Sequence, residues 1–359
     1  MAKPRIIAFY LPQFHPTPNN DKWWGKGFTE WTNVCKAKPL FRGHYQPHVP
    51  ADLGFYDLRL AESRLAQAEM AKEYGVEGFC YYHYWFGEGR QELEHVFNEV
   101  LKSGEPDFPF MLCWANESWH SKFWNNDGTV SKKLLVEQKY GGIDDYTKHF
   151  FHLLPAFKDK RYIRIDNKPA FMLFRPLEFE QVSDFINLWK KLAKENGLEG
   201  IFFIGQTFET EIEVDEVFNK GFGAVNTVRL FDIQRKRKLI EKALQKIERV
   251  LLTKPFVYSY AKAKEYFVEE LEKNINIIPT IIPNWDHTPR SGNGGYVLTK
   301  SNPKLFGEHV RDAIDVVKDK PLEHRLIFIK SWNEWGEGNY MEPDLKFGTA
   351  YLEELRNNL

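Results

Sequence analysis

Eight short apolar segments recur along the 359-residue chain, and this recurrence constrains the fold more than any other feature. The segments are RIIAFYL (5–11), VEGFCYYHYW (76–85), FPFMLCWA (108–115), PAFMLF (169–174), IFFIGQT (201–207), FGAVNTV (222–228), INIIPTIIPNW (275–285) and RLIFIKSW (325–332). They are almost continuously apolar, which is typical of parallel strands covered on both faces.

Helical patterns fill the stretches between these segments. In residues 57–75, leucines and alanines recur at spacings of three and four up to Gly75, and Asn302 followed by Pro303 marks another helix start. Eight such units predict an α/β fold, a (β/α)8 TIM barrel, with residues 1–359 as one catalytic domain and a long first loop at about 11–56. The alternative is a doubly wound sheet, but the first strand is not followed by the GxGxxG pattern that would favour it.

The ends of the predicted strands are rich in aromatic and polar residues. Active sites of TIM barrels lie at the carboxyl ends of the strands, and ten of the 11 tryptophans fall there or just after. Flat aromatic faces beside polar groups suit the C–H faces and hydroxyl rims of sugars. The candidate substrate-binding residues are Tyr10, His15, Trp24, Glu30, Trp31, Tyr82, His83, Tyr84, Trp85, Trp114, Asn116, Glu117, Gln206, Trp285, Asp286, Asn333 and Trp335.

The segment KSWNEWGEG (330–338) places two carboxylates, Glu334 and Glu337, directly after the last predicted strand. On a helical turn their Cβ atoms would lie about 5–6 Å apart, close to the roughly 5–5.5 Å between the paired carboxyl groups of retaining glycosidases. Alternatively, one glutamate caps a helix and the other is solvated. The position at the barrel mouth and the flanking Trp332 and Trp335 favour catalysis.

Several other classes of site are disfavoured. A formal net charge of -1 gives no attraction to nucleic acid. The three cysteines form no CxxC pair, and His15, His83, His287, Glu117 and Asp286 match no metal-binding motif, so we expect neither metal nor other cofactor. The glycine-rich stretch 284–296 lacks the lysine and serine of a phosphate-binding loop and is read as a substrate-binding loop.

Taken as a complete product, the sequence predicts a cytoplasmic protein. The first apolar run has only six residues before Pro12, and no 18-residue apolar span occurs. The segment 233–250 has seven basic and two acidic residues and one apolar helical face. It is read as a solvated barrel helix, with weak peripheral contact to a membrane or to a partner as the alternative.

Six stretches together resemble the WbsX-like proteins and, more distantly, glycoside hydrolase family 99: AFYLPQFHP, WWGKGFTEWTNV, YQPHVPADLGFYDLR, GFCYYHYWF, NWDHTPR and SWNEWGEGNYMEPD. Family 99 implies a (β/α)8 barrel that acts as a retaining, endo-acting α-mannosidase or α-mannanase without a metal. Carried over, the resemblance makes Glu337 the general acid/base. It implies that Glu334 deprotonates the sugar 2-hydroxyl, so that this oxygen forms a 1,2-anhydro intermediate.

The WbsX-like group is associated with surface-polysaccharide and lipopolysaccharide biosynthesis, and some members are labelled glycosyltransferases. Three hypotheses therefore stand. The first is a retaining glycoside hydrolase or transglycosylase acting on a bacterial surface polysaccharide or its precursor. The second is a glycosyltransferase, although no nucleotide-sugar motif is visible. The third is a non-catalytic glycan-binding barrel. Each implies an oligosaccharide or polysaccharide partner.

Overall fold

A computed structural model describes residues 3–124, 130–240, 242 and 254–359. Eight parallel strands close into a barrel, because the first strand pairs with both the second and the eighth. In chain order they are β1 (Arg5–Tyr10), β2 (Gly78–Trp85), β3 (Phe110–Trp114), β4 (Lys168–Leu173), β5 (Phe202–Thr207), β6 (Ala224–Thr227), β7 (Ile277–Ile281) and β8 (Leu326–Ile329). This confirms the predicted (β/α)8 barrel, and each strand falls within its apolar segment except β4, which begins one residue earlier at Lys168.

Helices cover the barrel and its loops. The described α-helices are Pro18–Trp24, Glu30–Lys36, Ala61–Glu73, Glu94–Ser103, Gly142–Lys158, Val182–Glu195, Thr210–Asn219, Asp232–Lys236, Tyr260–Lys264, Thr288–Ser291, Pro303–Val317 and Ala350–Asn358. The expected cap is present, since the Asn302 side chain accepts a hydrogen bond from Leu305 N and Pro303 occupies the first helical position.

Short strands also lie in the loops of the barrel. Trp119–Trp124 pairs with Val130–Val136, Phe256–Ser259 with Tyr296–Thr299, Asn333–Glu334 with Asn339–Tyr340, Gln91–Glu92 with β2 and Arg164–Ile165 with β4. Short 3-10 helices are Pro176–Glu178, Glu270–Lys273, Gly292–Gly294, Leu322–His324 and Trp335–Glu337. The long first loop is built around the two helices between 18 and 36.

Side chains on the strands alternate between the barrel interior and the surrounding helices. On β2, Tyr82 faces inward, where its ring stacks on Phe9 of β1. The neighbouring His83 and Trp85 face outward and contact His149 on the helix Gly142–Lys158. Because both faces of every strand are buried, both sets are rich in aromatic residues.

The basic segment lies only partly within the described residues. Residues 233–240 and 242 are described, and 241 and 243–250 fall outside them. Among the described helices, none combines the length and apolarity needed to cross a membrane.

Candidate active site

The turn after β8 carries both glutamates, and two glycines shape it. Residues Trp335–Glu337 form a single 3-10 turn. At Gly336, an added Cβ would lie 1.7 Å from Glu30 Oε1, so a side chain there would collide with a neighbouring carboxylate. Gly338 has φ +58, and its Cβ would lie 2.8 Å from that of Asp286. Glycine at both positions therefore lets this turn pack tightly against two loops.

Asn333 links the turn after β8 to the end of β1, the strand with which β8 pairs to close the barrel. Its Oδ1 accepts a hydrogen bond from Leu11 N at 2.8 Å, and its Nδ2 donates to Leu11 O at 3.0 Å. Leu11 immediately follows β1, so the amide replaces the strand pairing that ends there. The predicted role of Asn333 in substrate binding stays a prediction, because both ends of its amide contact backbone.

Arg290 lies between three carboxylates. Its Nη1 is 2.5 Å from Glu337 Oε1 and 3.3 Å from Glu334 Oε1, and its Nε donates to Glu30 Oε1 at 2.8 Å. The two glutamates of the turn therefore face each other across one guanidinium nitrogen.

The two glutamates differ in proton affinity. Burial, followed by the negative charge of Glu337, raises the pKa of Glu334 to about 7, although Lys330 and Arg290 oppose the shift. Burial also raises the pKa of Glu337, but Arg290 and His287 outweigh it and hold this pKa well below its usual range. His287 Nε2 lies 3.4 Å from Glu337 Oε1. Glu334 therefore holds a proton more readily than Glu337.

Lys330 lies behind Glu334, on the side away from Arg290. Its Nζ is 3.9 Å from Glu334 Oε2 and donates to the Tyr82 hydroxyl at 3.1 Å. Four rings surround this ammonium with centroids 5.6–6.0 Å away, namely Phe9, Tyr82, Phe174 and Trp285. The lysine is 4% exposed, so the floor of the site holds a buried positive charge.

Trp335 packs behind the turn. Its ring stacks on Tyr340 at 3.7 Å and contacts Trp31 at 5.6 Å. Its Nε1 donates to Glu342 Oε2 at 2.6 Å, and Tyr56 donates to the same oxygen at 2.8 Å. Trp335 is 1% exposed, so it supports the turn from within the core.

Among the predicted site residues, seven come together at the barrel mouth. Tyr82 and Tyr84 are close enough to Glu334 for its charge to raise their pKa, after the larger effect of burial. Trp285 contacts Lys330, and Glu117 lies near Glu337 while pairing with Arg175. The group is Glu30, Tyr82, Tyr84, Glu117, Trp285, Glu334 and Glu337.

A second group lies one layer back and holds the loops. Asp286 accepts hydrogen bonds from His44 Nε2 at 2.6 Å and Gln46 Nε2 at 2.7 Å. Asn116 bonds to the Arg175 backbone, and Trp31 Nε1 donates to Tyr56 O. With Asn333 and Trp335, these residues shape the site by fixing its loops.

The remaining predicted residues do not join this group. Tyr10 faces outward from β1 and donates to Gln67, and His83, Trp85 and Trp114 surround His149. Gln206 lies inside the barrel, hydrogen-bonded to Asn226. His15 contacts His95, and Trp24 contacts Phe28. These side chains therefore serve the core, the barrel interior or the first loop in the described structure.

The predicted site residues did not include Arg290, His287 or Lys330, although Arg290 and His287 lie in the stretch 284–296 that was read as a substrate-binding loop. All three lie in the stretches NWDHTPR and KSWNEWGEG that carry the resemblance. Sequence reasoning also passed over a row of partly exposed rings that leads outward from Tyr84. Trp119 contacts Tyr84 at 4.9 Å, and Trp23 contacts Trp119 at 6.0 Å. Their placement after strand ends was the available signal.

A sequence model described as "Glycosyltransferase WbsX" matches residues 6–355. This chain belongs to the WbsX family. Two curated relatives, both named "Uncharacterized protein WxcX" and both from Xanthomonas campestris pv. campestris, in strains B100 and ATCC 33913, are 32% identical over 99% of the chain. The WbsX-family chain covers 49% of each relative, so it spans about half of their length.

Solved structures similar to this WbsX-family chain are glycoside hydrolase barrels. The GH99 endo-alpha-mannosidase from Bacteroides thetaiotaomicron aligns with a TM-score of 0.58 and 16% identity, covering 100% of this chain and 97% of that one. A "Glycoside hydrolase-like protein" aligns with a TM-score of 0.60 and 15% identity, covering 100% and 94%. At this identity the similarity establishes the fold, which is that of carbohydrate-active family 99 enzymes.

Proposed function

We propose that this WbsX-family chain is one catalytic domain that acts as a retaining, endo-acting glycoside hydrolase or transglycosylase. Its substrate would be a bacterial surface polysaccharide or its precursor. The observation that carries the proposal is the pair Glu334 and Glu337, which share Arg290 Nη1 at the barrel mouth and differ in proton affinity. Titratable groups whose environments separate their pKa values are typical of acid–base catalysis.

The walls of the site suit a sugar chain. Tyr82, Tyr84 and Trp285 surround the two glutamates, and the rings of Trp119 and Trp23 extend the surface away from them. These rings meet edge to face, so they place apolar surface in different orientations beside the glutamates, which suits contact with more than one sugar unit. No metal or other cofactor enters the proposal.

In the assignment that the family resemblance implies, Glu334 removes the proton of the 2-hydroxyl while O2 attacks C1. The bond from C1 to the leaving oxygen breaks, and Glu337 protonates that oxygen. Water or an acceptor hydroxyl then opens the 1,2-anhydro ring, with both proton transfers reversed. A pKa of about 7 suits Glu334 as a base near neutral pH.

The low pKa of Glu337 favours a second assignment of the same pair. Glu334, which retains its proton more readily, would be the general acid, and the ionised Glu337 would be the nucleophile or base. Under the first assignment, Glu337 gains its proton only after the substrate displaces Arg290 from it.

Leaving-group dependence separates the two assignments. The assay uses a panel of surface oligosaccharides together with aryl α-mannobiosides that carry good and poor leaving groups. Under the first assignment, Glu337→Gln spares substrates with good leaving groups, because these depart without protonation, and Glu334→Gln slows all substrates. Under the second, the two variants exchange behaviour. Full activity in both variants would remove the pair from catalysis.

The family description favours glycosyl transfer as a second candidate function. Calorimetric titration with nucleotide sugars tests it, since a transferase binds its donor tightly and a hydrolase does not. A non-catalytic glycan-binding barrel would instead bind members of the oligosaccharide panel without turnover.

Cytoplasmic location and contact of 233–250 with membranes remain predictions. Sedimentation with anionic liposomes at low and high salt tests the contact, and no binding at low salt would remove it.

A further inference from the structure

The buried ammonium of Lys330 has no role in the acid–base assignment above. Its four surrounding rings come from β1, from β2 and from the segments that follow β4 and β7. Rings attract a cation through their faces, but they do not neutralise its charge. A buried cation in such a setting requires a counter-charge.

Glu334 provides that counter-charge. Within the described residues it is the one carboxylate within 4 Å of Lys330 Nζ, at 3.9 Å. Tyr82 accepts a hydrogen bond from the lysine at 3.1 Å but stays neutral, because burial raises its pKa well above the usual range. Glu334 Oε2, which faces the lysine, is buried and has no hydrogen-bond partner among the described residues.

We propose that Lys330 is a positioning residue that holds the Glu334 carboxylate from behind and favours its ionised form. Glu334 Oε1 is thereby left beside Arg290. Other charged or titratable groups around Glu334 are Arg290, Glu30 and Glu337, with the hydroxyls of Tyr82 and Tyr84. Among them, Lys330 is the cation on the buried side.

The consequence for catalysis rests on the proposed function. A cation that favours the ionised form assists a base and opposes an acid, so Lys330 favours the assignment in which Glu334 takes the proton of the 2-hydroxyl. The effect on Glu334 itself does not depend on any substrate.

Infrared titration of the full chain tests the effect directly. The infrared band of a protonated carboxyl group that disappears in Glu334→Gln is assigned to Glu334. The pH at which half of this band is lost, its midpoint, is then compared between the unmodified protein and Lys330→Met. Removing an opposite charge at this distance should raise the midpoint by about 1 unit or more, and Lys330→Arg should keep it near that of the unmodified protein. Lys330→Gln is a second uncharged variant, in case the methionine variant fails to fold.

Lys320→Met is the matched control, because Lys320 is also a buried lysine but lies at the other end of the barrel. Its Nζ donates to the backbone oxygen of Ile277, the first residue of β7. This control should leave the Glu334 midpoint unchanged. An unchanged midpoint in folded Lys330→Met or Lys330→Gln would overturn the proposal.

Activity then separates this inference from the proposed function. If Glu334 is the base, raising its pKa from about 7 by one unit lowers the ionised fraction at pH 7 by about fivefold, so Lys330→Met loses about fivefold in kcat at pH 7 and recovers at higher pH. A raised midpoint together with no turnover of any panel glycan by the unmodified enzyme would contradict the proposed function alone.

Discussion

Two arginines, one fully buried and one partly exposed, each contact several carboxylates in this barrel, and they differ in how completely the charges are paired. Arg229 follows β6, and its side chain is 0% exposed. Its Nε donates to Glu272 at 2.6 Å, and its Nη1 donates to Asp232 at 3.0 Å. Arg290 is 23% exposed, shares one nitrogen between two glutamates and leaves Glu334 Oε2 without a hydrogen bond among the described residues.

Under the proposed function, this difference separates a structural cluster around Arg229 from a catalytic one around Arg290. Around Arg229, Glu211, Asp232 and Glu269 lie close enough together to hold a metal ion. However, Arg229 contacts all three, and Lys236 adds a second cation at 2.8 Å from Glu211. Grouped carboxylates alone therefore do not indicate a site. The incomplete pairing at the mouth of the barrel is the feature on which the proposed proton transfers by Glu334 and Glu337 rest.

The largest expected effect is on turnover. Glu334→Gln and Glu337→Gln should each lower kcat on a cleaved panel glycan by about 10²–10⁴-fold, because each removes a group that transfers a proton. Thermal unfolding should change little in both. The matched variant Glu272→Gln, beside Arg229, should reverse this pattern, with lower stability and unchanged kcat. A fall in kcat in Glu272→Gln as large as in the other two would erase the distinction.

Replacing the two arginines should lower the free energy of unfolding by different amounts. Arg229→Met leaves buried carboxylates unpaired and should lower the free energy of unfolding by about 3–5 kcal/mol, measured by urea denaturation. Arg290→Met should cost less, because its site is partly exposed and Glu334 can take up a proton. Equal losses would show that the two clusters are equally structural.

The pH dependence should change for Arg290 alone. Arg290 lowers the pKa of both Glu334 and Glu337, so Arg290→Met raises both. The limb of the kcat/KM profile near pH 7, which reports Glu334, should therefore move to higher pH, whichever role Glu334 has. In a destabilised but folded Arg229→Met variant, that limb should stay in place. A shift of that limb in the Arg229 variant would contradict the distinction between the two clusters.

The smallest expected effect is that of chelators. Among the described residues, one cluster of three carboxylates has metal-binding geometry, namely Glu211, Asp232 and Glu269. Arg229 and Lys236 neutralise this cluster. EDTA should therefore leave both activity and stability unchanged. Loss of activity that a single divalent ion restores would contradict this prediction and the metal-free mechanism.

Much of the fold could be predicted from the sequence, because strand identity is a local property. Eight apolar segments separated by helical patterns determined the barrel, and its closure placed Glu334 and Glu337 at the mouth. The resemblance carried by six stretches along the chain identified the WbsX-like family, which the comparison confirmed.

The direction of each side chain was decided only by the tertiary structure. On β2, Tyr82 faces the site while His83 and Trp85 face the helices. A strand buried on both faces is apolar at every position, so its sequence does not reveal which alternate residues point inward.

The tertiary structure also brought together charges that are distant in the chain. Arg290 reaches Glu334 across 44 residues and Glu30 across 260. Lys330 is only four residues from Glu334, but its role depends on rings contributed by other parts of the barrel. The sequence by itself determined which two carboxylates stand at the mouth. Their proton affinities were decided by burial and by neighbouring cations, which exist only once the barrel has closed.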